Sequence, residues 1–273
     1  MADKSQNLLL VFVFIFLVFP GLVFSKLVTR EIGKTVAVDT LQYHWQIQNK
    51  NKSGKPCVLR LATGASPKSL YKELVRMHKE EGLSFKNTIT FNLDEHYPIK
   101  GNNIRNNSHF MYEYLFDHID IPKENINLPD GSLLEEKVDE FCQDYEKKIK
   151  SLGGIDIQLL GIGLAGHIGF NEPGSDIDSP TRLVTLDSLT VASTTTTDLN
   201  NKEQQTLHRA ITMGVGTIMS SHRIFMMALG ENKAEIIRKM IDGPITENVP
   251  VTFLQNHPNT EVIINNLVKL DTN

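Results

Sequence analysis

The sequence predicts an α/β protein: a single domain with a doubly wound, mostly parallel sheet and helices on both faces, a Rossmann-like arrangement. Short apolar runs rich in β-branched residues recur along the chain, as is typical of buried parallel strands. Helical patterns, with apolar residues three or four positions apart, lie between several of these runs. Hydrophobic residues (40%) and charged residues (22%) are near ordinary globular usage, and 273 residues allow one large α/β domain.

Six runs give the predicted strands in chain order: Cys57 to Ala62, Thr88 to Phe91, Ile155 to Leu160, Ala210 to Met213, Ile224 to Leu229 and Val262 to Ile264. We expect most of them to be buried parallel strands. One predicted helix begins near Pro67, with Ser66 as its N-cap, and a second runs from about Val138 to Leu152. Ligands of doubly wound sheets bind beyond the carboxyl ends of the strands, so functional residues should follow the apolar runs.

Charge and cysteine content exclude several classes of protein. The net charge is −4, and the longest basic run is Lys147-Lys148, so we expect no nucleic-acid partner. Cys57 and Cys142 stand in no C-x-x-C pair, which excludes a disulfide framework and a zinc ribbon.

Residues 8–24 form an apolar run of seventeen residues without a charge, shorter than the ~20 that span a bilayer. Three interpretations stay open: a cleaved signal peptide, a membrane anchor, or a buried first strand joined to an apolar extension. Basic residues follow at Lys26, Arg30 and Lys34, and such a flank tends to stay cytoplasmic. We therefore expect an N-terminal segment, residues 1–25, and a cytoplasmic domain, residues 26–273, with membrane contact through residues 8–24 or secretion as alternatives.

The first candidate site follows the first predicted strand and reads Thr63, Gly64, Ala65, Ser66. Free backbone N–H groups and the dipole at a helix N-terminus hold an anion, and the two hydroxyls could add donors to a phosphate. The alternative is an ordinary capped helix. Arg60, inside the strand, is unexpected because a central parallel strand is normally apolar.

The second strand ends in Asp94 and Glu95. Neighbours on an extended chain point to opposite faces, so only one of them should face the crevice. A carboxylate there could act as general base on a carbon-bound proton. The alternative is a polar strand end in solvent.

After the third strand, Gly161 opens a G-x-G-x-x-G pattern, with Asp187 about 20 residues on. We reject a dinucleotide fingerprint because no helical apolar pattern follows before Ser179; the glycines instead suggest close backbone approach to a small ligand. His167 and Glu172 become an acid/base candidate, since a carboxylate can orient an imidazole that titrates near neutral pH. A hydrogen-bonded structural histidine is the alternative.

Lys233 stands at the start of a predicted helix after the strand that ends at Leu229. A cation there opposes the helix dipole, at a cost of a few tenths of a kcal/mol unless an anion is bound. This conflict favours a functional role for Lys233.

Several motifs resemble the glucosamine-6-phosphate deaminase family, also called glucosamine-6-phosphate isomerases, from about Lys55 to Ile264. In family order they are TGASP at Thr63, FNLDEH at Phe91, FDHIDIPKENIN at Phe116, GHIGFNEPGS at Gly166, TRLVTL at Thr181, AITMGVGTI at Ala210 and LGENKA at Leu229. The related 6-phosphogluconolactonases share the fold and the GH element, but FNEP points to the deaminase side.

The resemblance implies conversion of glucosamine 6-phosphate and water to fructose 6-phosphate and ammonia, without metal or organic cofactor. It implies that His167, held by Glu172, opens the sugar ring and that Asp94 is the base. It implies a sugar-phosphate ligand and a homo-oligomeric assembly. Matching phosphate-site positions are Thr63, Gly64, Ala65, Ser66 and Lys233; matching allosteric-site positions are Ser175, Arg182 and Thr185.

The sequence departs from the family pattern at three places. Ala165 stands where an Asp is usual, two residues before the histidine; residues 194–197 lack the Arg expected in the segment that closes over the phosphate; and Val184 stands where a Lys is usual. Two competing hypotheses are therefore a catalytically silent sugar-phosphate-binding protein and a lactone hydrolase of the same fold.

Overall fold

A seven-stranded parallel sheet forms the centre of the protein in a computed structural model, which describes residues 28–32, 37–100, 103, 106–195 and 207–265. The strands in chain order are β1 (Val28–Ile32), β2 (Cys57–Leu61), β3 (Thr88–Asn92), β4 (Asp94–Tyr97), β5 (Ile126–Asn127), β6 (Ile157–Gly161), β7 (Arg182–Thr185), β8 (Arg209–Thr212), β9 (Ile224–Ala228) and β10 (Thr260–Asn265). The central sheet has the order β1-β10-β9-β6-β2-β3-β5, and β4, β8 and β7 form a second, antiparallel sheet.

The helices in chain order are α1 (Ala37–Ser53), α2 (Lys68–Glu81), α3 (Asn107–Tyr114), α4 (Glu135–Ser151), α5 (Ser188–Thr195), α6 (Val215–Met219) and α7 (Ala234–Asp242). Short 3₁₀ turns cover Phe116–His118, Lys123–Asn125, Glu231–Lys233 and Pro250–Asn256.

Helices cover both faces of the central sheet, as predicted. The Tyr43 ring of α1 lies 5.6 Å from that of Phe225, and the Tyr145 ring of α4 lies 5.2 Å from that of Phe91. Phe225 is in register with Leu159 of β6. Phe91 is in register with Arg60 of β2, which is in register with Gln158 of β6, the residue before Leu159. Because successive side chains of a strand alternate between faces, α1 and α4 lie on opposite faces.

The polypeptide reverses its direction of winding next to β2. From β2 the chain proceeds outward through β3 to β5, and it returns on the other side of β2 as β6 before continuing to β9 and β10. The segments that leave β2 and β6 therefore run in opposite directions and leave a crevice between them, which is where open α/β sheets bind ligands.

Five of the six predicted strands lie in the parallel sheet, and the sixth differs. The run at Ala210 to Met213 forms β8, which pairs antiparallel with both β4 and β7. Ala210, Ile211 and Thr212 are all buried because strands flank β8 on both edges and α4 packs near the second sheet. Burial of this kind produces the same continuous apolar run as a parallel strand.

The start of α2 differs from prediction by one residue. The helix begins at Lys68, the N-cap position is Pro67, and no side chain makes a capping hydrogen bond there, so Ser66 is not the N-cap. The second predicted helix is confirmed as α4, which buries Val138, Cys142, Tyr145 and Ile149. The two cysteines, Cys57 and Cys142, are buried and free.

Residues 1–25, with the apolar run 8–24, lie outside the described residues, so the predictions for this segment stay predictions. Across the described ranges, none of the helices combines the length and the apolar character needed to cross a membrane.

Gly214→Ala should strongly destabilise the protein, because a Cβ there would lie 1.9 Å from the Ser179 carbonyl oxygen and 2.3 Å from that of Pro180. We expect the free energy of unfolding in urea to fall by roughly 1–3 kcal/mol, as in overpacked cores. Gly161→Ala is the matched control, since a Cβ at Gly161 meets no atom within 4 Å. Equal stability of the two variants would contradict the prediction.

Candidate active site

A cavity of about 530 Å³ lies at the carboxyl ends of β2, β3 and β6. Its polar lining includes Thr63, Ser66, Asp94, His96, Asn106, Asn107, His167 and Lys233. The crevice between the β2 and β6 segments therefore contains every catalytic and phosphate-binding residue predicted from the sequence except Glu172, which lies behind His167.

One wall of the cavity is the turn between β2 and α2. Thr63, Gly64, Ala65, Ser66 and Pro67 all line the cavity, and Gly64 has a φ of 106°, a conformation that glycine adopts without a Cβ penalty. The N-terminus of α2 has no side-chain cap. Backbone N–H groups that lack intrahelical partners therefore lie beside the cavity, as in many anion sites.

Lys233 reaches the same cavity from the start of α7. Its Nζ donates a hydrogen bond to the Ile162 carbonyl oxygen at 2.8 Å, and burial lowers the pKa of this lysine from its ordinary value. The ammonium keeps two further donors. No carboxylate among the described residues pairs with this half-buried cation, and an anion at the β2–α2 turn would supply the countercharge.

Asp94 is the carboxylate that faces the cavity. Asn107, the first residue of α3, donates from Nδ2 to Asp94 Oδ1 at 2.8 Å, and the Thr63 hydroxyl donates to Asn107 Oδ1 at 3.1 Å. Burial raises the pKa of Asp94 to about 6, against the opposing effects of Arg60, His167 and the Asn107 hydrogen bond. A carboxylate with such a pKa is a stronger base than an ordinary Asp and is still largely ionised at neutral pH.

Glu95 points away from the cavity and is 1% exposed, which confirms that only one of the adjacent carboxylates faces the crevice. Glu95 Oε1 accepts backbone N–H groups of His96 and Asn107, and Oε2 accepts that of Ser108. Glu95 thereby anchors the first turn of α3, which presents Asn107 to Asp94.

Asn107 is a site residue that the sequence analysis missed. Its neighbour Asn106 is the N-cap of α3, with a side chain that accepts from the Ser108 N–H, and Asn-Asn-Ser before an apolar segment is a recognisable cap signal. That signal indicates a helix start but contains no information on which strand end the helix faces.

His167 and Glu172 lie together, with His167 Nδ1 3.2 Å from Glu172 Oε2. Burial acts to raise the pKa of Glu172, but the neighbouring His167 and Thr190 of α5 outweigh it and hold this pKa below its ordinary value. The carboxylate is therefore ionised at neutral pH and can stabilise a protonated imidazole, while the imidazole itself lines the cavity.

One glycine of the pattern after β6, Gly163, lies against the ring of His167. A Cβ on Gly163 would lie 2.1 Å from His167 Nε2, so only glycine leaves room for the ring. Residues 162–181 contain no helix, in agreement with the rejection of a dinucleotide fingerprint. Ala165 is exposed in this loop and adds no carboxylate to the histidine.

Residues 196–206 lie outside the described residues, as do the side chains of Thr194 and Thr195. The prediction about the closing segment therefore stays a prediction.

A second cavity of about 320 Å³ contains the three residues predicted from the resemblance to belong to an allosteric site. Arg182 donates to Asn171 Oδ1 at 2.9 Å and to the Ser175 hydroxyl at 3.4 Å, and Thr185 and Val184 line the same cavity. Glu172 lines it too, so one carboxylate borders both the second cavity and the histidine of the first.

A family model described as glucosamine-6-phosphate isomerases/6-phosphogluconolactonase matches residues 34–264. A glucosamine-6-phosphate deaminase of Thermoanaerobacter pseudethanolicus is 42% identical over 220 residues, which cover 80% of this chain and 85% of that protein. A putative glucosamine-6-phosphate deaminase-like protein of Bacteroides thetaiotaomicron is 46% identical over 218 residues, or 80% of this chain; the chain spans 33% of that longer relative.

Among solved structures, a monomeric glucosamine-6-phosphate deaminase is similar with a TM-score of 0.79 at 34% identity, over 89% of this chain and 98% of that one. A 6-phosphogluconolactonase of Thermotoga maritima has a TM-score of 0.70 at 19% identity, over 88% and 100% of the two chains, and it shows the fold alone. The expected assembly of this chain into homo-oligomers stays a prediction.

Lys233→Met should weaken anion binding in the first cavity. We expect the dissociation constant for inorganic phosphate, measured by isothermal titration calorimetry, to rise about tenfold or more, because a charged hydrogen bond contributes roughly 1.5–3 kcal/mol. Lys239→Met is the matched control, since Lys239 is exposed on the same helix and pairs with Glu235. Equal weakening by both variants would indicate a general charge effect and contradict the assignment.

Proposed function

The chain belongs to the glucosamine-6-phosphate isomerase/6-phosphogluconolactonase family, and from this premise we propose that it converts glucosamine 6-phosphate and water to fructose 6-phosphate and ammonia. One observation carries the proposal. The Asp94 carboxylate and the His167 imidazole, whose Nδ1 lies 3.2 Å from Glu172 Oε2, line one cavity with Lys233 and the turn between β2 and α2. These are the groups that the reaction needs: a phosphate anchor, a ring-opening acid/base and a base for a carbon-bound proton.

Ring opening is the first step. The cyclic sugar opens when the hydroxyl on C1 loses its proton and the ring oxygen O5 gains one, which leaves an aldehyde at C1. We assign the transfer to His167, because a neutral imidazole accepts one proton and the imidazolium donates it back. Glu172 stabilises the imidazolium that exists between the two transfers.

Isomerisation and deamination follow. Asp94 takes the proton from C2 while the C1 carbonyl oxygen gains a proton from water, which produces an enolamine between C1 and C2. Asp94 then returns its proton to C1, which leaves a hydroxyl on C1 and a protonated imine at C2. The hydroxide left by that water adds to C2, its proton passes to the nitrogen, and ammonia leaves, so that the ketone of fructose 6-phosphate remains. Asn107 donates to Asp94 Oδ1 and so fixes the orientation of the carboxylate. The other oxygen, Oδ2, would accept and return the proton.

The phosphate would anchor the substrate in the same cavity. We assign it to the turn of Thr63, Gly64, Ala65 and Ser66 and to Lys233. Because free sugar phosphates are cytoplasmic metabolites, we propose that the domain acts in the cytoplasm.

The second cavity supports a regulatory proposal. Arg182, with Ser175 and Thr185, would bind an anionic effector, and Glu172, which borders both cavities, would connect effector binding to His167. Val184 contributes no charge, so Arg182 is the cation that such an effector would meet among the residues that line this cavity.

Asp94→Asn should abolish turnover while substrate binding persists. We expect kcat to fall about 10²–10⁴-fold, the usual contribution of a positioned base, in an assay that follows both ammonia and fructose 6-phosphate with the domain from Lys26 onward. Asp144→Asn, an exposed change on α4, is the control. Wild-type protein that shifts its melting temperature with glucosamine 6-phosphate yet releases neither product would instead identify a silent binding protein.

Ala165→Asp should accelerate the reaction if ring opening limits it. A carboxylate at this position would stabilise the imidazolium that exists between the two proton transfers, and about 1.4 kcal/mol off the barrier is tenfold in rate; we expect kcat to rise severalfold up to that value. Ala165→Asn has the same shape without the charge and should not accelerate turnover. Equal rates for Ala165→Asp and wild type would show that the reaction does not depend on a carboxylate at this position.

A further inference from the structure

Arg60 is a fully buried cation in the middle of β2, with 0% of its surface exposed. Its Nη1 donates to Gln158 Oε1 of β6, while Nε and Nη2 have no hydrogen-bond partner in the part of the chain that the structure describes. Across the described residues, no carboxylate lies within ion-pair distance of the guanidinium. A buried charge of this kind is costly unless other charges compensate it, so its presence in a sheet that otherwise buries mainly apolar side chains calls for an explanation.

The position of Arg60 places its charge beneath the first cavity. Arg60 is in register with Phe91 of β3, and the pairing of the two strands continues through the Leu93 N–H, which donates to the Leu61 carbonyl oxygen at 3.0 Å. Asp94 follows directly. Ala62, which lines the cavity, is only two residues after Arg60, or about 7 Å along the strand.

The groups around Asp94 and Arg60 come from several elements. They are Arg60 on β2, Glu95 and His96 on β4, His167 after β6, Lys233 before α7, and Tyr145 and Glu146 on α4. Two carboxylates act on Arg60, those of Asp94 and Glu146. Glu146 Oε1 already accepts the Thr181 N–H and the hydroxyls of Thr181 and Thr217. Asp94 is the one of the two that lines the cavity.

We propose that Arg60 is a positioning residue that acts through Asp94: its buried guanidinium keeps the Asp94 carboxylate ionised while an anionic substrate occupies the cavity. This inference rests on the proposed function. Both a bound phosphate and the exclusion of water favour the protonated form of a nearby carboxyl group, and a protonated Asp94 cannot accept the C2 proton. A fixed cation under the sheet opposes both effects without contacting the substrate.

The opposite charges of Arg60 and Asp94 each favour the ionised form of the other group. Burial lowers the pKa of Arg60 to about 9, and Asp94 is among the groups that oppose this; Arg60 in turn lowers the pKa of Asp94 against the effect of burial. The guanidinium is therefore charged at neutral pH.

The test measures the titration of Asp94 directly, by ¹³C NMR of protein labelled at aspartate carboxyl groups, with the Asp94 signal assigned by its loss in Asp94→Asn. We expect Arg60→Met to move the titration to higher pH by about one unit or more, with a larger shift when inorganic phosphate is bound. Arg60→Lys keeps the charge and should restore most of the wild-type titration. Gln158→Leu is the matched control, because it removes the partner of Arg60 but leaves the cation in place.

If Arg60→Met folds poorly, the double variant Arg60→Met/Gln158→Leu replaces it in the test. It converts the buried polar pair into an apolar pair of the kind that central strands usually contain. An unchanged Asp94 titration in either folded variant, or loss of the native fold in both, would overturn the proposal. In active protein, the acid limb of the kcat/KM profile should move with the titration, and equal loss of activity at all pH values would also contradict it. Absence of wild-type turnover would reject the proposed function alone, since the NMR titration needs no catalysis.

Discussion

The reversal of winding at β2 is the constraint on which the rest of the structure depends. β3 and β6 pair with opposite edges of β2. The segments that follow β2 and β6 therefore diverge, and a crevice opens between them at the carboxyl ends of the strands. The turn between β2 and α2 comes from one side of this crevice and His167 from the other. Their approach is a property of strand order and not of any local motif.

A second theme is the containment of buried charge. The buried Glu95 carboxylate accepts three backbone N–H groups, two of them in the first turn of α3. These hydrogen bonds position Asn107, which donates to Asp94. Glu172 offsets its burial through His167 and Thr190. Burial raises the pKa of Asp94 to about 6 and that of Glu95 to about 7. What distinguishes Asp94 is its position, because it lines the cavity while Glu95 binds the first turn of α3. A carboxylate with a raised pKa in a cavity is a candidate for a functional group.

Much of the fold was readable because periodicity and burial agree in the centre of a parallel sheet. The strands at Cys57, Thr88, Ile155, Ile224 and Val262 were identified from apolar runs, and α4 from its apolar spacing. The antiparallel sheet was not predicted, since β8 is as buried as a parallel strand and β4 reads DEHY, whose polar residues serve the site and the α3 cap. The predicted Ser66 cap of α2 was also wrong: the N-cap position is Pro67 and no side chain caps the helix. Ser66 instead lines the cavity with the rest of the turn.

The sequence by itself determined the element types, the residues at the strand ends and the family, because spacing, glycine positions and motif order are local properties of the chain. It also indicated that one of Asp94 and Glu95 would face a crevice, through strand alternation alone. Strand alternation left open which one, and the structure shows that Asp94 lines the cavity, in agreement with the family resemblance. Only the tertiary structure brought Asn107 to Asp94, placed Gly163 against the His167 ring and set the Arg60 charge beneath the cavity. Most of these contacts join residues that are distant in sequence, and the contact of Gly163 with His167 depends on how one loop folds back. Strand order and packing set them, and no local sequence pattern encodes either.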